Sequence, residues 1–265
     1  MDEFITPLAK TSRRQFVGGA VAAMPFLTAT EAPDAEPDKA LASSTKRLSV
    51  VCVGAHPDDP ESGCGGTLAR YSAAGHRVTT VYLTRGEAGI PGKSHEQAAK
   101  IRSAEAEDAS RILGAKAVFA GQIDGATEVN RQRAESLRNL LAAEEPDVVF
   151  THWPLDSHSD HQAAAMLTVR AYLGLSRRFG LYFFEVNSGS QTFGFQPCVY
   201  VDITSTRERK RAALFAHRSQ GGERIYRSHH EPMEVFRGRE LGVSAAEAFV
   251  SVARNNAAGG LPGLA

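Results

Sequence analysis

From Arg47 onward, short Val-rich apolar runs alternate with longer stretches whose apolar residues recur at helical spacing. The runs at 48–55, 77–83, 116–120, 147–151, 180–186 and 198–203 are predicted strands. The stretches 65–74, 95–113, 129–144, 160–175 and 205–216 are predicted helices, and Gly75 and Gly114 stand where helices stop. This alternation predicts an α/β fold, a Rossmann-like doubly wound and mostly parallel sheet with helices on both faces. Such sheets bind ligands at the carboxyl ends of their strands, so the residues that follow each strand become the candidates for chemistry.

Ahead of Arg47 the pattern changes. Residues 12–17 read Ser-Arg-Arg-Gln-Phe-Val and lead into a Gly/Ala-rich apolar run that ends at Leu27. The segment resembles a twin-arginine export signal, with cleavage expected after Ala29 or Ala32. Its apolar run falls short of the roughly 20 residues that span a bilayer, so no stable membrane span is expected. Residues 33–46, rich in Glu, Asp, Pro, Ala and Ser, read as a flexible linker. The chain thus divides into a signal (1–32), a linker (33–46) and one domain (47–265), which suits a length of 265 residues. The signal's resemblance implies a protein exported to the periplasm or beyond, with the twin-arginine machinery as a partner. It also implies a chain that folds, metal loaded, before it crosses the membrane.

Charge and cysteine content narrow the ligand. Thirty Lys+Arg balance thirty Asp+Glu, so no global basic field exists to hold nucleic acid or an anionic membrane. A small, nearly neutral ligand fits better. Cys52, Cys64 and Cys198 are too few and too scattered for a disulfide framework or a CxxC zinc cluster, and read as buried thiols.

Two strand ends concentrate His and Asp. The first strand runs into Ala55-His56-Pro57-Asp58-Asp59-Pro60-Glu61, and the fourth into Thr151-His152-Trp153-Pro154-Leu155-Asp156-Ser157-His158-Ser159-Asp160-His161. Either loop alone reads as a turn or a helix cap; both at equivalent places in one sheet point to a site. These residues resemble the PIG-L/LmbE-like N-acetylglucosaminyl deacetylase family, whose signatures are an Ala-His-Pro-Asp-Asp loop (55–59) and a later His-x-Asp-His (158–161). Similar in kind are Thr84-Arg85-Gly86-Glu87-Ala88-Gly89, Arg102-Ser103-Ala104-Glu105-Ala106, Ala216-His217-Arg218-Ser219-Gln220 and Ala246-Glu247-Ala248-Phe249, so the resemblance covers 48–252. Pro60 stands where many relatives place a Glu directly after the paired aspartates, and Glu61 follows it.

The resemblance implies a hydrolase that removes the N-acetyl or N-acyl group from an amino sugar or small glycoside. A catalytic zinc wants three N/O ligands and one open position, and the resemblance assigns those ligands to His56, Asp59 and His161. Zn2+ is expected, with Fe2+ or another divalent ion able to take the same donors. Asp58 cannot easily chelate the ion that its neighbour binds, which leaves it as general base and later proton donor to the amine. By resemblance a protonated His158 stabilises the oxyanion, and Asp160 is expected to hold that imidazolium in place. Arg85 and Asp124 are candidates for binding the substrate's hydroxyls. His217 is a candidate to approach from the C-terminal region; Glu61 is left without a role, and oligomeric state is not legible.

Three other readings compete. Gly63-Cys64-Gly65-Gly66 hints at dinucleotide binding, but Leu68 occupies the third glycine position and no acidic residue ends the second strand. Those glycines are expected instead to let the backbone pack closely behind the metal loop. A non-catalytic carbohydrate-binding module would discard the base, whereas Asp58, His158 and Asp160 all remain. A metal amidohydrolase for non-sugar N-acyl compounds would keep the same groups, because they address the amide and not the ring.

Overall fold

A computed structural model describes residues 46–252 and 261–264. The expected export signal, and the linker up to residue 45, lie outside the described residues. The strands are β1 (Ser49–Gly54), β2 (Arg77–Tyr82), β3 (Lys116–Phe119), β4 (Val148–His152), β5 (Gly180–Phe184), β6 (Val199–Asp202) and β7 (Ala246–Ser251). They form one sheet in the order β3-β2-β1-β4-β5-β7-β6. The first five are parallel, and β7 runs antiparallel to both β5 and β6. The expected doubly wound, mostly parallel sheet is therefore present.

Alternate residues of the central strands face opposite layers, as the period of two requires. Val50 and Cys52 of β1 pack with Leu68 and Tyr71 of α1 (Asp59–Ala73), Leu113 of α2 (His95–Leu113) and Ala213 of α5 (Arg207–Ala216). Val51 and Val53 pack on the other face with Leu137 and Leu141 of α3 (Arg131–Glu144) and Leu167 of α4 (Ser159–Gly174). Each Val or Leu among them, fully buried, stabilises the fold by about 1.5–3 kcal/mol. Two apolar layers thus fix which loops meet at the sheet's carboxyl edge.

The expected helix at 65–74 begins earlier, at Asp59, directly out of the β1 loop. Three glycines inside α1 weaken its sequence signal, because glycine is a poor helix former. Packing is what holds them: a Cβ on Gly63 would overlap the Phe184 ring, and one on Gly66 would lie 2.7 Å from Cβ of Ile203. The glycines let α1 press onto the sheet, as expected. α2 starts with a reciprocal capping box between Ser94 and Gln97 and stops at Gly114, which has φ 73°.

Beyond α5 the chain makes a short 3-10 turn (Arg218–Gln220), α6 (Gly222–Ile225), a π turn (Tyr226–His230) and α7 (Glu231–Leu241) before β7. None of α6, α7 or β7 stands among the expected elements. β7 is masked in sequence by Glu247, which interrupts its apolar pattern. In the fold that carboxylate is buried and accepts the N–H groups of Gly66 (2.9 Å) and Thr67 (2.8 Å) and the Lys210 ammonium (2.8 Å), so its charge is compensated. Cys52 and Cys64 are buried as expected, but Cys198 is exposed, since it precedes β6 at the edge of the sheet. Among the described residues no helix is long and apolar enough to cross a membrane.

Candidate active site

β1 and β4 are adjacent parallel strands at the point where the strand order reverses, so their following loops face each other across the sheet's carboxyl edge. The β1 loop turns sharply into α1 at Asp58, whose φ of 112° is unusual for a residue with a Cβ. Such a backbone costs about 1–3 kcal/mol and persists where its surroundings enforce it. Arg102 of α2 supplies the enforcement: its Nη2 donates to the Pro57 carbonyl at 2.6 Å and to Asp58 Oδ2 at 3.3 Å. Gly86 and Gly89 make room for that buried guanidinium, since a Cβ on Gly86 would lie 2.6 Å from Cδ of Arg102.

Asp59 folds back over the loop. Its Oδ2 accepts the N–H groups of Ala55 (3.0 Å) and His56 (2.7 Å), while Oδ1 faces His161 Nε2 at 3.3 Å. Nδ1 of His56 lies 3.3 Å from Asp59 Oδ2, and its Nε2 meets Asp160 Oδ2 at 3.1 Å and Asp124 Oδ1 at 3.2 Å. His161 Nδ1 is held by Asp156 Oδ1 at 3.3 Å and lies 3.1 Å from Gln191 Nε2. One donor atom from each of His56, Asp59 and His161 falls within 4.8 Å of the others. Two imidazole nitrogens and one carboxylate, with each outer imidazole nitrogen held by a further carboxylate, are the donor set and support that a divalent metal needs.

Charge in this cluster follows from the carboxylates around it. Burial opposes charging of His56, but Asp124, Asp160 and Asp59 outweigh it and hold the imidazole well above its usual range. Burial likewise opposes charging of His161, yet Asp59 and Asp156 push it up to about 9. Asp59, despite burial, is held well below the carboxylate range by His161 and His152. Asp58 moves the other way: desolvation and Asp59 raise it against the pull of Arg102.

These groups line one cavity of about 510 Å³, together with His158, Asp124, Asn187, Gln191 and His230. His158 caps α4, and its Nδ1 accepts the Asp160 N–H at 3.2 Å, which leaves the ring proton on Nε2. Burial and the neighbouring His56 and His161 lower the His158 pKa. That direction opposes the expected imidazolium. Asp160 does not clasp it through its carboxylate, which accepts Gly125 N–H (2.8 Å) and Thr127 Oγ1 (2.6 Å) and faces His56. The helical turn from 158 to 161 points Asp160 away from the ring two residues before it.

Of the candidate residues, His56, Asp58, Asp59, Asp124, His158 and His161 line the cavity, with Asp160 directly behind His56. Arg85 does not. It is exposed, with its guanidinium over the Phe119 ring at 5.6 Å, and the cation at the cavity is Arg102. His217 and Glu61 lie buried, 3.6 Å apart, and Glu61 accepts the Tyr82 hydroxyl at 2.6 Å. Neither reaches the cavity wall. His152, the last residue of β4, and Asp156, in the loop after it, stand in plain sight, yet their roles were not legible. His152 stacks on His161 at 4.0 Å and meets Asp59 Oδ2 at 3.2 Å, kept neutral with a pKa lowered to about 4, chiefly by burial. Asn187, Gln191 and His230 come from segments that carry no chemical pattern.

Residues 51–172 match the family described as PIG-L: GlcNAc-PI de-N-acetylase. The diacetylchitobiose deacetylase of Thermococcus kodakarensis is 31% identical over 193 residues, covering 67% of this chain and 72% of that protein. Among solved structures, the conserved protein TT1542 from Thermus thermophilus superposes with a TM-score of 0.67 at 35% identity, covering 78% of this chain and 95% of the other. The N,N'-diacetylchitobiose deacetylase from Pyrococcus horikoshii, crystallised with an inhibitor, gives a TM-score of 0.68 at 27% identity, covering 81% and 84%. The sheet, the two strand-end loops and these similarities agree: this chain belongs to the PIG-L (GlcNAc-PI de-N-acetylase) family.

Proposed function

We propose that this protein is a divalent-metal N-deacetylase, with zinc as the metal, that hydrolyses the N-acyl group of an amino sugar or small glycoside. The observation that carries the reading is the convergence of His56, Asp59 and His161 beside the strained, Arg102-held Asp58. Family membership and the N-acetylated sugar named for the diacetylchitobiose deacetylases support the substrate class.

A cation held by His56, Asp59 and His161 would supply a Lewis acid and a water acidic enough to attack near neutral pH. Asp58 takes the proton of the attacking water and returns it to the nitrogen as the C–N bond breaks, freeing the amine and the carboxylate. Its raised pKa suits both halves of that task. His158 donates from Nε2 to the oxygen that gains charge as the amide carbon becomes tetrahedral. Asp124, on the cavity wall, is placed to orient the substrate. The run Ser12-Arg13-Arg14-Gln15-Phe16 supports export by a twin-arginine route as part of the same reading.

The test is release of acetate and free amine by zinc-loaded mature protein from a panel of N-acetylated sugars and glycosides, with N-acyl amino acids alongside. Hydrolysis of the sugars that is abolished by chelation and restored by metal is the expected result. Hydrolysis of the amino acids alone would replace the sugar by a simpler amide, and no hydrolysis at full metal occupancy would leave a binding module.

A further inference from the structure

One wall of the catalytic cavity takes no part in the chemistry above. On it, His230 is the last residue of the π turn Tyr226–His230 between α6 and α7. Single π turns insert an extra residue into a helical path and occur preferentially at functional sites. His230 is 3% exposed and lines the cavity with Asp59, Ser62 and Ile225. Its buried Nε2 has no hydrogen-bond partner among the described residues.

A buried polar nitrogen left without a partner is costly, and proteins keep one where something else completes it. The ring's charge state restricts what that is. Burial, and then Lys210 and His229, hold its pKa down to about 3, so the imidazole is neutral and offers one N–H and one lone pair. It gains nothing special from an anion. A hydroxyl, which both donates and accepts, pairs with Nε2 in either tautomer. Asn187 and Gln191 add two side-chain amides to the same cavity, again neutral groups suited to hydroxyls.

We infer that His230 is a substrate-binding residue whose Nε2 hydrogen-bonds a sugar hydroxyl while the scissile amide lies against His56, Asp59 and His161. The inference rests on the proposed sugar deacetylation and assigns recognition of a ring hydroxyl to this wall.

The experiment compares wild type, His230→Gln and His230→Leu on N-acetylglucosamine and its monodeoxy derivatives. His230→Leu should raise KM about ten-fold with kcat nearly unchanged, the effect of one lost hydrogen bond, while His230→Gln retains most of the binding. The derivative lacking the contacted hydroxyl should lose as much with wild type and nothing further with His230→Leu. Metal content should stay the same in all three. An unchanged KM in His230→Leu for every sugar hydrolysed would overturn the inference and assign His230 to packing beside the buried Lys210 of α5 and Glu234 of α7, whose charged atoms lie 3.8 Å apart. A second readout does not need turnover: titrating zinc-loaded wild type with N-acetylglucosamine should shift the 15N resonances of the His230 ring. Absence of that shift while the sugar binds overturns the contact, whereas absence of both binding and hydrolysis of any sugar overturns the proposed function itself.

Discussion

Asp160 holds Nε2 of His56 at 3.1 Å, so that the carboxylate of the second loop fixes the imidazole of the first. The contact joins two segments 104 residues apart in sequence and leaves Nδ1 of His56 on the Asp59 side. Outer carboxylates of this kind orient a ligating imidazole and raise its basicity. Asp160→Asn should therefore lower metal affinity about 10- to 100-fold while the fold is kept. Competition with a chromophoric chelator measures it, and wild-type affinity in the variant would detach Asp160 from the metal centre.

His161→Ala and Asp58→Asn should separate ligand from base. The first removes a donor and should lose metal and activity together. The second should keep metal while turnover falls by about 10²–10⁴. Metal analysis and kinetics on the same preparations decide it, and metal loss in Asp58→Asn would exchange the roles of Asp58 and Asp59.

Arg102→Lys tests whether the strained conformation at Asp58 matters. Lysine keeps the charge but loses the rigid planar group whose Nη2 meets both the Pro57 carbonyl and Asp58 Oδ2 while Nη1 lies 3.8 Å from Asp124 Oδ2. Misplacing a catalytic group by about 1 Å costs on the order of 10² in rate, so kcat should fall by about that factor with metal content unchanged. Undiminished kcat would show that the backbone holds Asp58 without help.

Metal binding should release protons. In metal-free protein His56 is held well above its usual range by carboxylates that outweigh burial, and His161 is raised to about 9. Both imidazoles therefore carry protons at neutral pH that a cation must displace. Raised pKa values mean competition is complete at low pH and fades as pH climbs through about 9, so affinity rises with pH across that window. Calorimetry in buffers of different ionisation enthalpy reads the protons directly; an enthalpy independent of buffer would mean the histidines are already neutral.

Export should depend on the paired arginines. Arg13→Lys combined with Arg14→Lys should leave unprocessed precursor in the cytoplasm, detected by fractionation and immunoblotting. Normal export of the double variant would assign the protein to another route.

The strand–helix alternation was legible because continuous Val-rich runs and capped helices are local patterns: all six expected strands appear within two residues of their expected limits, and α2 runs over the expected 95–113. The two His/Asp loops were legible because each follows its strand directly. What escaped was whatever depends on neighbours far along the chain. The start of α1 was hidden by glycines that make sense only against Phe184 and Ile203, and β7 by a Glu247 whose charge is compensated by Lys210 and by α1 amides. The same holds at the site. The two strand-end loops and their resemblance to the family singled out His56, Asp58, Asp59, His158 and His161 in the sequence, and the structure brings all five to one cavity. Only the tertiary structure decided that the Asp160 carboxylate serves His56 and not His158, that Arg102 and not Arg85 brings a guanidinium to the cavity, and that His152 and Asp156 brace the cluster. The physical reason is that a side chain's partner is set by where helices and strands aim it across the sheet's edge, a direction that no single loop's sequence contains.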